Sequence, residues 1–305
     1  MRNKRHIFLT GKSIILSQLT LMTIVTTRQI KQAITELCLP KRSLCCLSLL
    51  LLLSFVRIAA QSTVTATYQM GVGQTNILDT YLSQEKFSGP GLTFLMTRER
   101  HVDGKHWFTS VEHQLNMATT DDRADMRNEL QADYSLFIGR YHEWTLSRPT
   151  GLKLQVGGVV NWNLGAIYNT SNSNNPAQAR LSLNLMPSAA AAYPFRLFGK
   201  RWSAQYKVEL PLAGVMFSPN YGQSYYEIFS LGNYDHNVVP VTFISAPNLR
   251  QQLSVECSFS PLFTMRLGYL GDYQQAEVNN LKSHVFHHRV MIGFVRKFSI
   301  INHAL

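Results

Sequence analysis

The sequence predicts an all-β protein: a transmembrane up-and-down antiparallel β-barrel of about ten strands, or twelve if the longest loop adds a hairpin, preceded by a signal peptide. Three features carry that expectation. From residue 63 onward, apolar and polar residues alternate with period two over segments of about 10 to 15 residues, enough for a tilted strand to cross a bilayer. The connections alternate short and long, as in barrels with tight turns at one end and loops at the other. Charged residues make up 15% of the 305, below the roughly 25% of soluble domains, so the polar faces are mostly Ser, Thr, Asn, Gln and Gly.

Charge is unevenly spread. Residues 1 to 60 hold nine Lys and Arg against one acid, Glu36, and so carry +8 of the formal +11; the remainder has 20 basic and 17 acidic residues. The basic balance therefore does not point to nucleic acid, and no such partner is expected. Lys41 and Arg42 precede the apolar run Leu44 to Val56, and Arg57, Ile58, Ala59, Ala60 and Gln61 follow it, the order of a secretory signal. The run is too short to span as a helix, which takes roughly 20 residues. Residues 41 to 60 are expected to be a signal peptide cleaved near Ala60, residues 61 to 305 the barrel, and residues 1 to 40 an extension from a start codon assigned too far upstream. Cys38, Cys45 and Cys46 lie in this leader, leaving Cys257 alone beyond it and excluding a disulfide within the barrel.

The ten segments follow near 63 to 73, 91 to 101, 105 to 118, 128 to 140, 151 to 167, 179 to 193, 201 to 213, 248 to 259, 262 to 274 and 285 to 298. In the first, Val64, Ala66, Tyr68, Met70 and Val72 share one face, and Thr63, Thr65, Thr67, Gln69 and Gly71 the other. In the fourth, Leu130, Ala132, Tyr134, Leu136 and Ile138 oppose Glu129, Gln131, Asp133 and Ser135. The fifth and seventh repeat the pattern. The last alternates Phe286, His288, Val290, Ile292, Phe294, Arg296 and Phe298, like the assembly signal of outer-membrane barrels, with Ser299 to Leu305 beyond it. Trp107, Trp162 and Trp202 fall on the apolar face, where aromatic girdles sit. Short links at Asp103-Gly104, Ser147 to Thr150, Arg196 to Lys200 and Ser260-Pro261 separate long ones at 74 to 90, 119 to 127, 168 to 178, 214 to 247 and 275 to 284. A soluble periplasmic lipocalin-like carrier would alternate too. Its outward polar face, however, should be rich in Lys and Glu.

Turned inward, the polar faces bring Lys153, Arg180, Lys207, Arg250, Arg266 and Arg289 into the lumen with Glu112, Asp133, Glu209, Glu256 and Asp272. A ten-strand barrel is narrow, so these nearly balanced charges are expected to pair across the interior as a rigid plug; a narrow solute path is the other reading. The loop 214 to 247 is richest in candidate chemistry. Ser224, Asp235 and His236 are the residue types of a nucleophile, an orienting acid and a base, which would make an envelope hydrolase acting on lipid or peptide. Adjacent Asp and His seldom form such a pair, and no G-x-S-x-G surrounds the serine. Tyr221, Tyr225, Tyr226, Glu227 and Tyr234 in the same loop suit a small-molecule or glycan ligand that the sequence leaves unidentified. His287 and His288 point to opposite faces of a strand, so with His284 they are expected to be interfacial and not a metal site. No metal and no cofactor are implied. Cys257 is expected to face lipid.

The order Ile77 to Gly89 (ILDTYLSQEKFSG), Asn174-Asn-Pro-Ala177, Phe217 to Asn233 (FSPNYGQSYYEIFSLGN) and Val278-Asn279 resembles a family of outer-membrane proteins of Bacteroidota catalogued as a domain of unknown function. The resemblance runs over residues 62 to 298, and the tyrosine-rich loop is its most specific part. It implies a β-barrel envelope protein and brings no catalytic residues. The expected setting is the outer membrane of a Gram-negative bacterium, with outer-membrane lipid and, during insertion, the barrel-assembly machinery as partners.

Overall fold

Ten strand positions close on themselves in a computed structural model that describes residues 62–146, 151–173, 175–260 and 263–300. In chain order the strands are β1 (Ser62–Asp79), β2 (Phe87–Val102), β3 (Trp107–Asp121), β4 (Asn128–Thr145), β5 (Lys153–Asn169), β6 (Ala177–Leu197), β7 (Lys200–Glu209), β8 (Ala213–Phe217), β9 (Val238–Thr242), β10 (Leu249–Ser258), β11 (Thr264–Val278) and β12 (Leu281–Ile300). Consecutive strands pair antiparallel from β1 to β7 and from β10 to β12, β8 pairs with β6 and with β9, β7 pairs with β10, and β12 returns to β1 to close the ring. A closed ring leaves no edge strand, which an open sheet in lipid could not tolerate. The expected leader, residues 1 to 60, lies outside the described residues.

Ten and twelve are both right counts. Along β6, Ser188 pairs with Glu209 of β7 and Leu185 with Ala213 of β8, one residue more on the second strand than on the first. That is a bulge at residues 210–212, held by bonds from the Leu210 amide to the Pro187 carbonyl (3.1 Å) and from the Leu212 amide to the Leu185 carbonyl (3.0 Å). Pro211, which has no N–H to give a ladder, sits at the break. Strand β8 then pairs with β9 as a hairpin. The segment expected to be one loop from 214 to 247 is therefore strand at both ends.

The period-two pattern sets the two faces. On β5, Val160, Trp162 and Leu164 are 47–61% exposed on the outer wall, whereas Asn161 and Asn163 between them are 5–6% exposed inside. An apolar outside around a polar inside is the arrangement of a membrane barrel, inverted from that of a soluble carrier. Strand ends run past the expected limits: β1 reaches Asp79, and β11 and β12 are joined by Asn279-Asn280 alone. Both asparagines are left-handed (φ 52° and 60°), as are Phe198 (51°) and Gly199 (72°) between β6 and β7, the conformations that tight two-residue hairpins demand. Cys257 shares the outward face but is only 4% exposed, paired in register with Trp202 and Met265.

Substituting Val160→Arg places a cation on the middle of the lipid-facing wall and should cost about 2–4 kcal/mol in refolding equilibria in phosphocholine vesicles. An unchanged midpoint would contradict lipid exposure of this face.

Candidate functional site

The interior is tied together by Arg250. It projects from β10, and its partners Glu112 and Gln114 project from β3, which lies diametrically opposite in the ring of ten. The guanidinium Nη2 donates to Glu112 Oε1 and, at 2.7 Å, to Gln114 Oε1; Nε donates to the same amide oxygen at 3.0 Å, and Nη1 to Glu209 Oε2 on β7. Lys207 Nζ adds 2.8 Å to Glu209 and 3.8 Å to Glu112. The Tyr141 hydroxyl donates to Ser188 (3.1 Å) and Glu209 (3.4 Å), and the Phe137 ring lies 4.3 Å from the Arg250 guanidinium carbon. Gln114 passes the connection on, donating to Asp272 at 2.8 Å. Glu112, Glu209, Arg250 and Asp272 are all buried. Such burial is tolerable because each ion has a partner of opposite sign or a hydrogen-bond donor, the condition under which buried charge is held.

A second layer is built around Arg289 and Asp133. Arg289 donates to Thr93 Oγ1 (3.1 Å), Thr75 Oγ1 (2.6 Å) and the Gln74 carbonyl (2.6 Å). Thr93 donates to Asn116, and Asn116 to Asp133 at 2.9 Å, so neutral groups relay between cation and carboxylate. Gly91 makes room for this: a Cβ there would stand 2.3 Å from Arg289 Nη2. His287 is fully buried, with Nε2 3.5 Å from Asp133 and Nδ1 3.2 Å from the Thr75 hydroxyl. This corrects the expectation of three interfacial histidines. His284 and His288 do face outward, and His288 bonds the Tyr269 hydroxyl at 2.6 Å.

The eleven expected lumen residues are thus divided by height. Glu112, Lys207, Glu209, Arg250 and Asp272 form one connected body, with Asp133 and Arg289 in the layer beside it. Arg180 stands apart, donating to Gln274 at 3.0 Å. Arg266 and Glu256 pair at 3.0 Å, and Lys153 pairs with Glu143 at 2.9 Å. Gln114, Asn116 and Tyr141 lie outside the expected lumen set although they sit on the inward side of their strands, as does His287, which was expected at the interface. Between the network and the loop end are cavities of about 50 and 40 Å³, room for a few waters. At the turn end a wider recess of about 340 Å³ is lined by Lys153, Arg201, Glu256 and Lys297 among others.

Residues 218–237 fold over the loop end. Helix α1 (Tyr225–Phe229) starts on a capping box: Ser224 accepts from the Glu227 amide, and Glu227 accepts from the Ser224 amide (2.6 Å) and hydroxyl (3.0 Å). These bonds hold the Glu227 carboxyl below its ordinary range, the Ser224 amide first among them. Tyr225 turns inward, accepting from the Ala179 amide (2.7 Å) and donating to Gln178 (2.8 Å), and burial pushes its phenol up. Asn279 of the β11–β12 turn donates to the Ser218 and His236 carbonyls at 3.1 and 2.9 Å, fastening the cap to the barrel. Asp235 and His236 touch each other at 2.5 Å in solvent, both more than 70% exposed, while the Ser224 hydroxyl is engaged by Glu227. Tyr221, Tyr226 and Tyr234 face outward.

Glu227→Ala should leave the Ser224 amide without its acceptor and loosen α1, raising hydrogen exchange at residues 224–230 severalfold with the strands unchanged. Because the carboxyl is depressed in the folded state, its contribution is complete at neutral pH and fades only as pH falls through that lowered value.

Among solved structures, Neisserial surface protein A matches 78% of this chain and 97% of its own at 10% identity and a TM-score of 0.35. The translocator domain of autotransporter NalP from Neisseria meningitidis matches 92% and 98% at 10% identity (TM-score 0.36), and the outer membrane protease OmpT from Escherichia coli 79% and 97% at 7% identity (TM-score 0.42). No curated protein matches the sequence. The barrel fold resembles that of outer-membrane proteins of Gram-negative bacteria. Residues 44–304 match the family described as protein of unknown function DUF3316, and the chain belongs to that family.

Proposed function

We propose that the protein is a closed outer-membrane barrel of a Gram-negative bacterium whose work is done at its outward cap, as a structural or ligand-binding element, and not by conducting solutes. The observation that carries this reading is the span of Arg250 from one wall of the lumen to the other. The small size of the cavities on its loop side supports it, as does the cap fastened over that mouth. Outer-membrane lipid would meet the apolar wall, and the barrel-assembly machinery would insert it; the likeness of its loops to a Bacteroidota family favours that source. The exposed Tyr221, Tyr226 and Tyr234 beside amide groups suit a glycan, since rings stack on sugar faces while amides bond hydroxyls. Engagement of Ser224 by Glu227 favours a capping over a nucleophilic role for that serine.

The test is osmotic swelling of proteoliposomes in a pentose. Neither the parent protein nor a variant with residues 218–237 replaced by an Asn-Gly turn should admit the sugar, because the ion network lies beneath the cap. Swelling of the parent liposomes would overturn the closed-barrel reading.

A further inference from the structure

Four arginines stand on one sector of the outer wall, at the turn end. Arg98 and Arg100 project from β2, Arg140 from β4 and Arg296 from β12, each on the same side of its strand as the lipid-facing residues Phe94, Ile138 and Phe294. The ladder brings them together. Ala66 of β1 pairs with Arg98 on one side and Arg296 on the other, and Thr109 of β3 lies between Arg100 and Arg140. Neighbouring strands are about 4.8 Å apart, so Arg98 and Arg296 flank a single methyl group at about 10 Å, within converging reach of two long side chains.

Their level is the edge of the apolar belt. Phe94 and Met96 precede Arg98 on β2, and Ile292 and Phe294 precede Arg296 on β12. Just beyond lie aromatic rings: the Arg140 guanidinium carbon is 5.7 Å from the Trp107 ring centroid, and that of Arg296 is 5.5 Å from Phe298. Rings at this height mark the interface where headgroups sit. Among the described residues no other strand presents an arginine outward, and none of the four lies within 4.0 Å of a carboxylate. Arg100 Nε is buried without a hydrogen-bond partner. At the opposite edge of the belt the outward Lys282 is by contrast neutralised by Glu277 at 3.3 Å.

We infer that this sector is a binding surface for the phosphate headgroup of an anionic phospholipid in the leaflet at the turn end of the barrel. Unneutralised guanidiniums at a lipid–water boundary meet headgroup phosphate as the available anion, and the planar fork bonds two phosphate oxygens at once. Basic side chains singly placed at such an edge merely snorkel towards water. Four on five consecutive strand positions, two of them flanking an alanine, make a cradle. The inference rests on the membrane-spanning reading proposed above.

Its test is native mass spectrometry of the full mature chain in detergent, titrated with phosphatidylglycerol or phosphatidylcholine of the same acyl chains. The parent should retain phosphatidylglycerol about tenfold more tightly or better. The R98Q/R296Q variant should lose that preference, whereas R123Q/R127Q in the β3–β4 loop should keep it. Equal retention of the two lipids by the parent, displacement of the lipid by equimolar inorganic phosphate, or a preference unchanged in R98Q/R296Q would overturn the inference. If R98Q/R296Q does not fold, the comparison of the two lipids on the parent decides alone. Quenching of Trp162 fluorescence by brominated phosphatidylcholine separates the two levels. Quenching without lipid preference refutes only the headgroup surface, and absence of quenching refutes the membrane-spanning reading itself.

Discussion

A charge taken out of water must be answered by another, and in this barrel the answer comes from the opposite wall. Arg250 cannot be satisfied by its own strand or its neighbours alone; it needs Glu209 beside it and Glu112 and Gln114 across the lumen. That requirement fixes how β3 and β10 face each other and where the interior is filled. Lys207, Tyr141 and Asp272 then bond to residues already placed by it. The Arg289 layer obeys the same rule with neutral relays, Thr93 and Asn116, in place of a direct ion pair.

The departures from a regular barrel lie towards the loop end, beyond this network. The bulge at residues 210–212 follows directly after Glu209, the last residue of β7 and a ligand of Arg250. Past it the chain is free to leave the common register, form the β8–β9 hairpin and carry α1 and its flanking turns over the mouth. Apolar packing and amide bonds together seat the cap: Ile228 is fully buried with Phe229 stacked on Phe217, Asn237 donates to Gln223 at 2.7 Å, and Asn279 reaches two cap carbonyls. Directional bonds of this kind hold one arrangement where loose apolar packing would allow several.

The sequence was most readable where one face meets lipid and the other does not. Val160, Trp162 and Leu164 against Asn161 and Asn163 declare both a strand and its orientation. Towards the loop end that contrast disappears, as at Gln74 and Asn76 or Ser283 and His284, so the strands run further than alternation indicates. The β8–β9 hairpin is only five residues a side and is interrupted by Gly214 and Pro240, so its Val, Phe and Thr residues make no alternating run long enough to read as a strand; pairing with β6 holds it. Parity along each strand was enough to send Glu112, Glu209 and Arg250 inward. It could not say that Lys153 and Arg180 sit at other heights, because height depends on register between distant strands. His287 was grouped with its outward-facing neighbours His284 and His288 although alternation places it on the inward face; its partner Asp133, on β4, cannot be seen from its own strand.

Closure of the lumen turns on Arg250 and Glu112 interacting across it. A double-mutant cycle of Arg250→Met and Glu112→Gln, read as unfolding free energy in detergent–urea titrations, measures that interaction directly. Each single change leaves a buried charge or acceptor without its partner, so the pair should be less damaging than the sum of the singles, with a coupling of about 2–3 kcal/mol. Strict additivity would mean that the two side chains do not meet, and that the lumen is not tied shut by them.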